Sequence, residues 1–194
     1  MSRALCCVSA IVSALVFAGC SSPDPHLYTI APITGAPESR SPKIVILQTV
    51  SLARYLERSE IVRSSEGYRL AVMQNDWWGE PLSAMLSRIL IGELSQRMAH
   101  STVLASSGAV TASPDATVEL NVQRLDEDTA GRVVLEAQAS VEFKGRRYPI
   151  VRSFRFVAVP PAPGTSGEVA AISAAVGQLA DGLVPMLHSG PASR

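Results

Sequence analysis

Val133-Val134-Leu135-Glu136-Ala137-Gln138-Ala139-Ser140-Val141-Glu142-Phe143 decides the fold of this 194-residue chain. Val133, Leu135, Ala137, Ala139, Val141 and Phe143 share one parity, while Glu136, Gln138, Ser140 and Glu142 share the other. Successive side chains of a strand point to opposite faces. The stretch therefore reads as a long strand, dry on one face and wet on the other, as in an antiparallel sheet covered on one side. Upstream, Val118, Leu120 and Val122 alternate with Glu119, Asn121 and Gln123, a second half-buried strand. The segment Asp126-Glu127-Asp128-Thr129-Ala130-Gly131-Arg132 joins the two as a turn. Its acids lack the spacing and glycine of an EF-hand loop, so a solvated hairpin turn is expected rather than a calcium site. Downstream, Lys144-Gly145-Arg146 turns again, and Ile150, Phe154 and Phe156 continue as a third strand. Arg152 breaks its apolar parity, which puts that strand near an edge or an interface.

Further out, Ile44-Val45-Ile46-Leu47 is a continuous run expected as a strand buried on both faces. Ile61, Val62 and Arg63, a turn at 64–67, and residues 68–73 form a hairpin. Asn75-Asp76-Trp77-Trp78-Gly79-Glu80-Pro81 then leads into a helix to about Met98, with Pro81 in the first turn, where its missing N–H is unneeded. Leu82, Leu86, Ile89, Leu90 and Leu94 form its buried stripe, with Arg88, Gln96 and Arg97 facing elsewhere. Trp77 and Trp78, the only tryptophans, read either as a staple under the helix start or as a partner-binding spot. Thr102, Val103 and Leu104 make a short strand before a small-residue loop. Thr165-x-x-Glu168 reads as a capping box ahead of a last helix, whose stripe is Val169, Ile172, Val176, Leu179 and Leu183. The expected fold class is α+β: one domain over residues 43–190, a mostly antiparallel β-sheet with two helices packed on one face.

The N-terminus is an address. Arg3 is the only charge before Asp24, and residues 4–17 are apolar or small. This fits a signal peptide over residues 1–19 and is too short for a spanning helix. Removing residues 1–19 of 194 leaves 175, enough for a sizeable core, with 16 basic and 17 acidic residues because only Arg3 is lost. Near-neutral charge argues against nucleic acid. Cys6 and Cys7 leave with the signal and Cys20 is the sole remaining thiol. No disulfide, cysteine metal site or cysteine nucleophile is expected in the mature domain. Residues 21–42, with five prolines, read as a semi-extended tether. Within it, the apolar island His26-Leu27-Tyr28-Thr29-Ile30 is either a short edge strand docked on the domain or plain linker.

His26, His100 and His188 are far apart, Ser106-Ser107-Gly108 lacks a G-x-S-x-G context, and no glycine-rich phosphate loop follows a strand. No enzyme activity, cofactor or metal is expected.

Ala18-Gly19-Cys20 resembles the lipobox of bacterial lipoproteins, although Phe17 stands where Leu is usual. The resemblance implies cleavage between Gly19 and Cys20 and acylation of Cys20; an ordinary signal peptide with a chance cysteine is the alternative. Several chains of acyl carbon hold a protein stably on a membrane where one does not. Ser21 in place of Asp implies the outer membrane by the enterobacterial sorting rule. Three further stretches resemble the ABC-type transport auxiliary lipoprotein family (PqiC- and YmbA-like). These are Tyr28-Thr29-Ile30, Arg54-Tyr55-Leu56-Glu57-Arg58-Ser59-Glu60-Ile61-Val62 with Ser59 where Pro is usual, and Trp78-Gly79-Glu80-Pro81-Leu82. That resemblance implies a lipid-anchored, periplasm-facing docking component of an intermembrane lipid-transport system. It would be a homo-oligomer partnered with an MCE-domain protein and, through it, an ABC permease and ATPase. Candidate partner-binding residues are Tyr55, Arg58, Trp77 and Trp78. A lipid-binding carrier with its own apolar pocket, and a structural lipoprotein unrelated to transport, are the other readings.

Overall fold

The computed structural model describes residues 24–39, 41–65, 68–107, 110 and 112–189. The signal peptide and the proposed processing and acylation site, Gly19 and Cys20, lie outside them.

The alternating stretch lies in the larger of two sheets, next to its edge strand. Strands β1 (His26–Tyr28), β2 (Ile44–Leu47), β3 (Ser51–Leu52), β4 (Glu60–Ser65) and β5 (Arg69–Trp78) precede helix α1 (Leu82–Arg97). Strands β6 (Thr102–Ala105), β7 (Ala116–Glu127), β8 (Val133–Phe143) and β9 (Ile150–Ala158) follow, and helix α2 (Thr165–His188) closes the order. The large sheet runs β6-β2-β7-β8-β9, with β3 also on β7. In the antiparallel β7-β8-β9 unit, Leu120 faces Ala139 and Ala137 faces Phe154. The shared parity puts Val118, Leu120, Val122, Leu135, Ala139 and Val141 in the core. β9 is the edge, as Arg152 suggested. β2 pairs in parallel with both β6 and β7, so the sheet is mixed. Val45 and Leu47 are fully buried while Ile44 and Ile46 are half-buried.

Both helices lie on the dry face, α2 against β7, β8 and β9 and α1 against β6 and α2. α2 is long and apolar enough to span a membrane, at mean hydropathy 1.4, but 67% of that window is buried; it is a core helix. Small residues let it close on the sheet: a Cβ at Gly182 would stand 2.8 Å from the Phe154 ring.

A second sheet, β1-β5-β4, corrects several expectations. Residues 75–78 do not lead into the helix as a loop; they end β5, because β1 adds in parallel, His26 to Asp76, Leu27 to Trp77 and Tyr28 to Trp78. The capping box is absent: Gly164 occupies the N-cap at φ 89° with no side-chain cap bond, and Thr165 and Glu168 turn to other partners. Arg97 does not face outward; it is 1% exposed. Asp126 is not in a solvated turn but at the buried end of β7, 2% exposed. The tether is also shorter than expected. After β1, Ala31 N–H donates to Ser173 Oγ (3.1 Å), Ile33 N–H to Glu93 Oε1 (2.7 Å), Gly35 N–H to Gln96 Oε1 (2.9 Å) and Glu38 N–H to the Arg97 carbonyl (2.6 Å). Residues 30–38 are thus a strap across both helices, and the domain begins at β1.

Candidate functional site

The two longest motif segments meet in space. Arg54–Leu56 is a single 3-10 turn, and the chain then enters β4 through Ser59. The Trp78 N–H donates to the Ser59 carbonyl at 2.7 Å, and the Gly79 N–H to the Tyr28 carbonyl at 2.8 Å. Pro81 caps α1 at φ −51°, where its fixed φ suits the helix start. Between these segments lies an open groove of about 370 Å³ lined by Arg58, Ser59, Trp78, Glu80, Pro81 and Leu82. Trp78 is 8% exposed and forms the apolar floor. The rim is charged: Arg58 Nε is 3.5 Å from Glu60 Oε2, and Arg88 donates to Glu80. Glu60's own backbone N–H, and then Arg58, hold its carboxyl below the usual range.

Of the four candidate residues the structure brings only Arg58 and Trp78 into this groove. Tyr55 is turned inward. Its hydroxyl donates to Asp126 Oδ2 at 2.6 Å, while Ser64 Oγ (2.9 Å) and Arg124 Nη2 (2.9 Å) donate to Asp126 Oδ1. Burial, with the Asp126 charge behind it, pushes the Tyr55 hydroxyl far above its ordinary pKa. Tyr55 is a tie between the 3-10 turn and β7, not a free contact. Trp77 lies on the opposite side of β5 from Trp78 and is 36% exposed.

Sequence reasoning missed two polar clusters. In one, Arg63 Nε donates to Glu168 Oε2 at 2.6 Å and lies 3.5 Å from Glu127, and Arg63 Nη2 donates to Thr165 Oγ1. Thr165 in turn donates to Asp76 Oδ2 at 2.6 Å, and Tyr28 donates to Oδ1 at 3.2 Å. The Thr165 hydrogen bond is the main reason the Asp76 carboxyl sits below its usual range. Burial raises Glu168 despite Arg63. In the other, Arg97 donates to Asp181 Oδ1 (2.6 Å) and to the carbonyls of Ile33 (3.0 Å), Gly177 (3.1 Å) and Glu93 (3.3 Å). Glu93 is likewise raised by burial. The spacing of Glu93 and Arg97 along the α1 stripe is the one signal that could have located this second cluster. Among the described residues no group of three or more His, Cys, Asp or Glu could hold a metal.

The family model of the ABC-type transport auxiliary lipoprotein component matches residues 27–184. No curated protein matches. Two solved structures share the fold. One, a crystal structure of an uncharacterized protein, is 16% identical, covers 84% of this chain and 98% of its own, and superposes at TM-score 0.71. The other, the Xanthomonas campestris protein XCC0632, is 19% identical, with 82% and 92% covered and TM-score 0.69. The family match runs from β1 into the last turns of α2, taking in the strap, both sheets and the motif groove. This chain belongs to the ABC-type transport auxiliary lipoprotein family.

Proposed function

We propose that this auxiliary lipoprotein, anchored through acylated Cys20 in the outer membrane and facing the periplasm, docks onto an MCE-domain protein. Through that partner it serves an ABC permease and ATPase in moving lipids or other hydrophobic molecules between membranes. In this reading it works as a homo-oligomer and performs no chemical step. The observation that carries it is the groove between residues 58–60 and 78–82. It has an apolar tryptophan floor and a charged, solvent-facing rim, the make-up of an interface hot spot rather than of a reaction centre.

A second reading, a lipid carrier, is favoured by a different feature. An open cleft of about 430 Å³ beside α1 is lined by Leu47, Ala84, Ile91 and Ala105, with Gln48, Arg88 and several small hydroxyl residues, within the size range of ligand pockets. Native mass spectrometry of the chain without its anchor separates the two. A lipid-free oligomer that captures an MCE-domain protein supports docking, and a monomer carrying co-purified lipid supports the carrier. Arg58 is exposed, so Arg58→Glu is expected to leave melting unchanged while weakening MCE-protein capture by about tenfold, roughly the 1.4 kcal/mol of a modest interface contact. Unchanged capture removes the groove from the docking surface.

A further inference from the structure

We propose that the outer face of the small sheet, at Leu27 and Trp77, rests on the bilayer that takes the acyl chains of Cys20; the inference rests on that anchor reading. Leu27 and Trp77 are register partners in the parallel β1 and β5 pair, so both project from one face. Leu27 is 67% exposed and Trp77 36%. Their neighbours take the other face: Tyr28 and His26 reach Asp76, and Trp78 is core. The Trp77 indole N–H donates to the Gln74 carbonyl at 2.8 Å. Its one polar group is therefore satisfied internally, and the ring can enter the headgroup and acyl boundary without stranding a donor. Tryptophan is enriched at that depth. Glu60 faces Trp77 from β4, with Arg58 beside it, leaving charges at the rim of the pair.

Chain length selects the bilayer as the occupant. Leu27 is seven residues after Cys20, and at ~3.3–3.6 Å per residue its Cα lies at most about 25 Å from the acylated cysteine. The strap on the far side of β1 is bonded to both helices, so β1 cannot swing away from the domain. Anchoring makes the patch's encounter with the membrane intramolecular, and a weak apolar contact then suffices to set orientation.

The test uses the full acylated protein in vesicles of phosphatidylethanolamine and phosphatidylglycerol at three to one, with and without brominated acyl chains. Bromolipid is expected to quench tryptophan emission by about a third, because Trp77 sits at the interface and Trp78 is buried. Trp77→Phe should abolish the quenching, and Leu27→Asp should cut it at least twofold while the protein still floats with the vesicles. Acylated, floating protein with no quenching overturns the proposal and leaves the anchor intact. Trp77 shielded from both bromolipid and aqueous acrylamide overturns it in favour of a second copy of the chain. An unmodified Cys20 in the intact mass overturns the anchor reading, and this proposal with it.

Discussion

Arg97 is the side chain whose loss the fold should feel most. Its guanidinium is 1% exposed and ties α1 to α2 through Asp181 and the Gly177 carbonyl, and to the strap through the Ile33 carbonyl. A planar fork with five donors fits this set; an ammonium does not. Arg97→Met should destabilise by about 3 kcal/mol, because it leaves buried carbonyls without donors, and Arg97→Lys should fall between. Urea unfolding reads the loss, and hydrogen exchange should speed up at the Ile33 and Gly35 amides, the strap's bonds to α1. Position 97 was legible and its partners were not. It extends the Leu86, Leu90, Leu94 stripe by helical spacing, yet arginine by type reads as solvent-facing. Only the Ile33 carbonyl, 64 residues upstream, together with Gly177 and Asp181, 80 and 84 residues downstream, makes burial tolerable. Asp126 was hidden in the same way: its acidic neighbours suggest a wet turn, and Tyr55 and Ser64, distant in sequence, enclose it.

At the scale of elements, the local patterns carried β7, β8 and both helices, since alternation and the 3.6-residue stripe depend only on near neighbours. They failed where pairing is non-local. Residues 75–78 show no clean alternation because β5 shifts register between Glu60 and Ile61 and then takes β1 as a new partner. The start of α2 failed for a related reason: Thr165 and Glu168 have capping-box spacing, but Arg63 and Asp76 draw both side chains into tertiary bonds. Glu168 is pushed above its ordinary carboxyl pKa by burial, with Arg63 opposing. The folded state then holds a proton that the unfolded chain releases, so this group's contribution is full below the ordinary glutamate range and is lost as pH rises through the raised value. Glu168→Gln should remove that dependence: wild type loses stability relative to the variant on going up through this window, measured by denaturant midpoints at a series of pH values. Glycines give a paired check. A Cβ at Gly92, exposed in α1, meets nothing within 4 Å, so Gly92→Ala should stabilise by about 0.5–1 kcal/mol. A Cβ at Gly167 would overlap the Ala162 carbonyl oxygen, so Gly167→Ala should destabilise by about 1–3 kcal/mol. Thermal melts of the two variants should move in opposite directions.

For the whole molecule, the boundary between tether and domain governs how the anchor acts on the fold. A free tether to residue 42 would let the domain roam; a strap that begins at β1 would, on the anchor reading proposed above, hold one face toward the membrane. The two boundaries predict different behaviour for shortened chains. A chain beginning at Asp24 keeps β1, the buried Ile30 and every strap bond, and should melt like the full-length protein's domain. A chain beginning at Lys43 loses β1 from β5, vacates the Ile30 site, and exposes the Arg97 guanidinium to a trench between α1 and α2. Emptying one buried isoleucine site alone costs about 2–5 kcal/mol. In a domain of this size each kcal/mol is worth about 2–4 °C, so the shorter chain should melt about 10 °C lower, with Trp77 emission shifted red as β5 becomes an open edge. Equal melting of the two chains would show that the strap adds nothing to the fold, and the orienting role given to residues 26–38 would fall with it.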